Sequence, residues 1–210
     1  MILTALGDPP PDIPIEAAAR VLGEGGIVGI PTDTVYGVAA DPFHSGASDR
    51  LFSLKRRPRS FELPVLVADV DQALSLAVAV PDVARALMRR WWPGALTLVV
   101  PRRPDLVADL GEEDATIGLR CADHPVPLAL CRMFGPIAVT SANRHGDPPA
   151  TSAEEVVAAF GPSVELVLDA GPCRGEASTV VDCTGMEPHL LRAGALSWER
   201  IRASGDDGSR

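Results

Sequence analysis

The stretch Arg50-Leu-Phe-Ser-Leu-Lys55-Arg56-Arg57-Pro58-Arg59 carries five cations and no acid in ten residues. A point-like ammonium beside forked guanidiniums suits the oxygens of a polyphosphate. A solvated basic turn has the same composition. Pro58 stiffens the chain just after the cluster, and the local excess opposes the sign of the whole molecule, which carries a net charge of −9. Both features favour a ligand site. Lys55 is the one lysine, against 18 arginines. It either marks a position where a compact ammonium fits and a planar guanidinium does not, or is a chance survivor.

A second polar group is Thr140-Ser141-Ala142-Asn143, directly after the apolar run ending at Val139. Small hydroxyl and amide side chains at the end of a buried strand stand where open α/β sheets bind ligands. The same tetrapeptide also makes a good turn and N-cap. The loop from Thr32 to Tyr36 likewise follows an apolar strand, Arg120 ends another, and Ser178-Thr179 leads into one. Short polar groups and single arginines at strand ends predict a concave site for a small zwitterion plus an anion. The common phosphate and hydrolase motifs are missing. The lysine follows Leu54 and not a glycine, Gly23 and Gly25 precede a strand, and no G-x-S-x-G or H-E-x-x-H occurs. His44, His124, His145 and His189 stand singly and read as surface or capping residues.

The elements that must position these groups alternate along the chain. Helices are predicted over residues 15–22, 48–55, 69–80, 81–92, 126–134 and 152–160. Strands are predicted over 27–31, 64–68, 95–100, 116–120, 137–140, 164–168, 179–181 and 189–191. The mixture predicts an α/β fold, a single-domain twisted mixed β-sheet covered by helices. No internal repeat and no linker divides it. The domain is predicted to span 12–203, and 204–210 to form a disordered tail.

With 46% apolar and 22% charged residues among 210, the chain has enough core to need no disulfide staples. The acidic balance repels nucleic acid and anionic membranes as a whole, so a polyanion must meet a local basic patch. The four cysteines show no C-x-x-C or Cys/His ligand spacing and read as reduced thiols. No secretory signal and no stretch of 18 apolar residues is present. A cytoplasmic location without membrane contact is expected.

Read in order, these elements resemble the YrdC family of threonylcarbamoyl-AMP synthases. The matching motifs are Pro31-Thr-Asp-Thr-Val-Tyr-Gly37, Lys55-Arg-Arg57-Pro58 (the family's K-x-R), Pro93-Gly94-Ala-Leu-Thr97, Gly118-Leu-Arg120, Ser141-Ala-Asn143 (its S-x-N), Ser178-Thr-Val-Val181 and Leu191-Arg192. None is persuasive alone; the ordered set over residues 12–203 is specific. There is no room for the C-terminal accessory domain of longer members. Two departures stand out: Glu62-Leu63 where the family usually has Pro-Leu, and Arg56 where it often has glycine.

The resemblance implies a YrdC-like fold and an L-threonylcarbamoyladenylate synthase. L-Threonine, bicarbonate and ATP would give threonylcarbamoyl-AMP and pyrophosphate, and a tRNA threonylcarbamoyltransferase complex would pass the group to adenosine in tRNA. It implies Lys55 and Arg57 as the catalytic phosphate-holding pair, with Mg²⁺ accompanying ATP and no protein metal ligand assigned. Arg59, Thr116, Ser141, Asn143 and Arg192 would line the nucleotide side. Thr32, Arg120, Thr140 and Ser178 would surround threonine, with Arg120 on its carboxylate. Such chemistry needs orientation and charge neutralisation, not an acid/base dyad.

Two other readings compete with this one. An RNA-binding module of the same fold, or weak tRNA contact, fits poorly with few aromatics and a pI near 4.9. A carbamoyl-adenylate-forming relative would bring acylphosphatase and zinc-finger segments that this chain lacks.

Overall fold

The computed structural model describes residues 1–112, 115–144 and 146–205. Its strands are β1 (Ile2–Thr4), β2 (Val28–Ile30), β3 (Gly37–Ala40), β4 (Val65–Leu66), β5 (Leu96–Pro101), β6 (Thr116–Arg120), β7 (Ile137–Ser141), β8 (Leu166–Asp169), β9 (Thr179–Asp182) and β10 (His189–Arg192). They form one mixed sheet in the order β1-β8-β2-β3-β7-β4-β6-β5-β9-β10. The helices are α1 (Asp12–Gly23), α2 (Ala47–Lys55), α3 (Val70–Leu76), α4 (Asp82–Trp91), α5 (Pro125–Phe134), α6 (Ala153–Phe160) and α7 (Trp198–Gly205). The α/β class with a mixed sheet is as the sequence predicts.

Side chains alternate across a strand with a period of two, and the alternation separates two cores. Ile117 and Leu119 of β6, with Leu96, Leu98 and Val100 of β5, face a core shared with α2, α3, α4, α6 and Ile201 of α7. The opposite face carries Val28, Ile30, Ala39, Ile137 and Val139 at the middle of the sheet. There α1 and α5 cover them with Ile15, Ala18, Leu22, Val126 and Leu130. On that same face Thr97, Val99, Gly118, Arg120 and Val180 line cavities in which no helix residue takes part. The bare half of this face is the concave surface.

Several predicted boundaries move. β1 pairs in parallel with β8 through Ile2↔Val167 to Thr4↔Asp169, so the sheet begins ahead of the expected boundary at residue 12. β3 was not foreseen. It lies between β2 and β7, antiparallel to both, and its glycine is required. A Cβ on Gly37 would fall 2.6 Å from Val139 Cγ1. β4 is shorter than predicted. The helix expected over 69–80 covers only Val70–Leu76, capped where Asp69 accepts the Gln72 N–H. At the other end α7 runs to Gly205, so 204–205 are helical and not part of a disordered tail. Residues 206–210 of that predicted tail lie outside the described residues, as does His145. Among the described residues no helix is long and apolar enough to cross a membrane.

Candidate functional site

Two adjoining cavities of about 130 and 160 Å³ occupy the bare half of the sheet face and share Arg57, Pro64, Thr97 and Arg192. The inner one is lined by Thr32, Thr34, Arg120, Thr140, Ser141 and Ser178, with Val35, Leu66 and Val139 among its apolar walls. The outer one adds Glu62, Val99, Gly118 and Val180. A more open cavity of about 480 Å³, lined in part by Arg90, Trp91 and Arg200, lies against the Thr32–Asp33 segment. The predicted motif residues converge on the smaller pair.

The loop after β2 is tightly tied. Thr32 Oγ1 donates to the Val35 carbonyl at 2.6 Å and accepts from the Thr34 and Val35 amides, while its hydroxyl also meets that of Thr34 at 2.8 Å. Tyr36, wholly buried, donates from its hydroxyl to the Gly171 carbonyl at 2.9 Å. A loop so anchored holds its acceptors still, and Arg120 uses them. Its Nη1 donates to Thr34 Oγ1 at 3.0 Å, its Nη2 to Asp33 Oδ1 at 2.5 Å and its Nε to the Gly94 carbonyl at 3.0 Å. Of five N–H groups, three are held by the protein and one on each Nη is left. Burial pulls the Arg120 guanidinium below its ordinary range, and the Asp33 charge opposes that shift.

Arg57 and Arg192 stand where the two cavities meet. Arg57 donates to the Phe61 and Glu62 carbonyls and to Thr140 Oγ1. Arg192 reaches back from edge strand β10 to the Ser178 carbonyl and hydroxyl. Neither has a carboxylate partner among these bonds. Burial, then the charge of Arg192, holds Arg57 below its ordinary range. Two guanidiniums at one boundary, hydrogen-bonded to carbonyls and hydroxyls in the bonds described, are suited to receive an anion.

Lys55 ends α2, and its three N–H groups meet three acceptors: the Ser141 carbonyl at 2.5 Å, Ser141 Oγ at 3.2 Å and Asn143 Oδ1 at 3.0 Å. Ser141 in turn donates to Asn143 Oδ1 at 2.6 Å. Burial, and after it the Arg57 charge, lowers the ammonium pKa to about 8. Arg56, at the next position, is exposed with a φ of +52°.

Thr32, Arg57, Arg120, Thr140, Ser141, Ser178 and Arg192 are thus brought together, with Lys55 and Asn143 joined to the group through Ser141. Thr116 is on the cavity face of β6, two residues beyond Gly118 and outside the lining. Arg59 is not brought in. It pairs with Asp49 and Asp109 and lies 4.8 Å from the centroid of the Phe52 ring, because the two carboxylates draw it to the other side of its loop. Asp33, Thr34 and Gly118 were missed as individual site residues. Asp33 is the lone acid in the loop 32–37, the one available signal.

A family model described as telomere recombination (Sua5, YciO, YrdC) matches residues 20–194. A Mycobacterium tuberculosis relative is 46% identical over 188 residues, which cover 89% of this chain and 87% of the relative. The threonylcarbamoyl-AMP synthase of Bacillus subtilis (strain 168) is 40% identical over 197 residues, 91% of this chain and 56% of that protein. The solved structure of P. abyssi Sua5 complexed with L-threonine aligns with a TM-score of 0.90 and 36% identity over 97% of this chain and 60% of that one. The chain therefore spans little more than half of these two longer relatives. Matched over most of its length, and similar to a relative that it spans almost from end to end, the chain belongs to the Sua5/YciO/YrdC family.

Proposed function

We propose that the chain is an L-threonylcarbamoyladenylate synthase, forming threonylcarbamoyl-AMP and pyrophosphate from L-threonine, bicarbonate and ATP. The observation that carries this is the inner cavity. It combines hydroxyls from Thr32, Thr34, Thr140 and Ser178 with a guanidinium that keeps one N–H on each Nη, and it shares Arg57 and Arg192 with a second, adjoining compartment. The name of the Bacillus subtilis relative and the threonine complex of P. abyssi Sua5 support the same substrate class.

In this mechanism Arg120 takes the threonine carboxylate with its two remaining donors, a bidentate match. The amine of threonine and bicarbonate give a carbamate and water. A carbamate oxygen then attacks the α-phosphorus of ATP, and pyrophosphate leaves. Arg57 and Arg192 meet the charge where the reacting groups join, since they border both compartments. Fixed donors at that point are worth more than mobile water. Lys55, with Ser141 and Asn143, is adjacent and takes the outer phosphates after giving up part of its present hydrogen bonding. Thr116 lies further along the nucleotide side. The reading for Arg59 requires it to leave Asp49 and Asp109, so it has the weakest support of the set.

Mg²⁺ fits as a companion of the nucleotide. Among the described residues Glu62 is the one carboxylate lining the two cavities, and no three His, Cys, Asp or Glu gather to hold a metal ion. Magnesium bound chiefly through substrate phosphates needs no such cage, and the charge it supplies would offset that of the leaving pyrophosphate. The product would pass to a tRNA threonylcarbamoyltransferase complex.

The test is incubation with ATP, Mg²⁺, L-threonine and bicarbonate, with mass analysis for the adenylate. The expected product is threonylcarbamoyl-AMP with an equivalent of pyrophosphate. Its absence in the intact chain overturns the assignment.

A further inference from the structure

We propose that Thr97 is a positioning residue for the synthase reaction: its hydroxyl turns the O–H of Ser178 into the inner cavity, as a donor for the carboxylate of threonine. The inference rests on the synthase reading and deepens it, by giving a role to a buried hydroxyl that the reaction does not otherwise use.

On β5 the side chains of Leu96, Leu98 and Val100 enter the core. Thr97, Val99 and Pro101 alternate with them onto the cavity face, and Thr97 is the one polar residue of the strand. It is 4% exposed, borders both adjoining cavities and meets Ser178 Oγ at 2.9 Å. Among the described residues its hydroxyl has no other partner. A buried hydroxyl costs free energy unless it is bonded, so in the free protein this single contact satisfies it.

Ser178 has little freedom apart from its side chain. The Ala177 carbonyl accepts from the Ala195 amide at 2.9 Å, the Thr179 amide donates to the Ala95 carbonyl at 3.0 Å, and Arg192 Nη2 donates to the Ser178 carbonyl at 2.8 Å. Arg192 Nη2 also donates to Ser178 Oγ at 3.1 Å. A hydroxyl has one donor and two acceptor sites. The guanidinium only donates, so it fills one acceptor site of Ser178. When Thr97 donates as well, both are filled and the Ser178 proton is directed to the cavity that the residue lines. The reverse arrangement, Ser178 donating to Thr97, keeps that proton within the protein. A carboxylate only accepts, so bound threonine selects the first arrangement. Without the Thr97 hydroxyl, Ser178 Oγ is held from one direction only, by an arginine on an edge strand, and its proton is free to turn away.

The experiment measures kcat and the L-threonine KM, by formation of threonylcarbamoyl-AMP, for the parent, Thr97→Val, Thr97→Ser, Ser178→Ala and the double variant Thr97→Val/Ser178→Ala. Thr97→Val keeps the shape and removes the hydroxyl. It is expected to raise the threonine KM roughly three- to tenfold, the scale of one neutral hydrogen bond, with kcat little changed, because the carboxylate does not react. Thr97→Ser restores the hydroxyl and should stay within about twofold of the parent. In the Ser178→Ala background Thr97→Val should shift KM by less than about twofold, since contacting residues that act as a unit are not additive. Thermal unfolding checks that each variant is folded; should Thr97→Val unfold the chain, Thr97→Ala carries the test. A Thr97→Val KM within twofold of the parent overturns the proposal alone. Its full effect persisting without the Ser178 hydroxyl, or a failure of Thr97→Ser to rescue, does the same, because Thr97 would then act directly or through packing. A parent chain that makes no adenylate overturns the synthase reading, and the proposal with it.

Discussion

Asp33 and Arg120, 87 residues apart, form an ion pair at 2.5 Å with side chains only 11% and 8% exposed. Such a pair positions more than it stabilises, because desolvation offsets most of its attraction. Breaking it is another matter. Arg120→Ala leaves a carboxylate in a nearly dry site and is expected to destabilise the fold by about 3–5 kcal/mol. It should also raise the threonine KM by the equivalent of about 1.5–3 kcal/mol, the scale of a charge-assisted hydrogen bond. Denaturant unfolding and steady-state kinetics on one preparation separate the two effects. A weakened ATP affinity with an unchanged threonine KM would assign Arg120 to the nucleotide instead.

Arg56 adopts a left-handed φ of +52° just past α2, a conformation that costs an L-residue about 1–2 kcal/mol. Its side chain is exposed, so nothing visible offsets that strain. Arg56→Gly is expected to stabilise the chain by up to about 1 kcal/mol once the extra unfolded-state entropy of glycine is counted. The check is the urea midpoint at constant m-value, and a lowered midpoint would show that the arginine makes a useful contact.

What was legible in the sequence follows from the range of the forces involved. β6 was readable residue for residue, because an apolar run between polar ends reflects local burial. Of the histidines read together as surface or capping residues, His124 caps α5, its Nδ1 accepting the Val126 N–H. β3 was not. Gly37-Val-Ala-Ala40 has little strand propensity, and its pairing on both sides determines its conformation. The same holds for the site. The cation cluster and the S-x-N segment stand out locally, whereas the use of Asp33 by Arg120, and of Asp49 and Asp109 by Arg59, depends on partners distant in sequence or on another turn of chain.

The inner cavity gathers hydroxyls from Thr32, Thr34, Thr97, Thr140, Ser141 and Ser178, and two pairs already bond each other: Thr32 with Thr34, and Thr97 with Ser178 at 2.9 Å. A site built to hydrogen-bond a substrate hydroxyl rejects an analogue lacking it by far more than an apolar pocket can, through the polar groups left unpaired. 2-Aminobutyrate, which keeps the carbon skeleton of threonine, is therefore expected to be a poor competitor. Inhibition at equal concentration, measured as loss of threonylcarbamoyl-AMP, would contradict a hydroxyl-reading pocket.

Lys55 gives a pH signature. Its ammonium is buried and lies near Arg57, which together bring its pKa down to about 8. As pH rises through that value the free protein loses the cation that the proposed mechanism sets against the ATP phosphates, so kcat/KM for ATP, which reports free-enzyme groups, should fall above about pH 8. Lys55→Arg keeps its charge throughout this range. Its ATP affinity should be flat from about pH 7 to 9.5, although its turnover is crippled because a planar guanidinium cannot repeat the three-way contact with Ser141 and Asn143. Stability runs in the opposite direction. A lysine whose folded pKa is depressed burdens the native state at neutral pH, and the burden lifts as pH climbs from about 8 toward the unfolded value of 10.5. The stability advantage of Lys55→Met over the parent should shrink across that window. A pH-independent difference, together with a parent ATP profile that stays level above pH 8, would show that Lys55 remains protonated and that its ammonium is better solvated than its three protein acceptors imply.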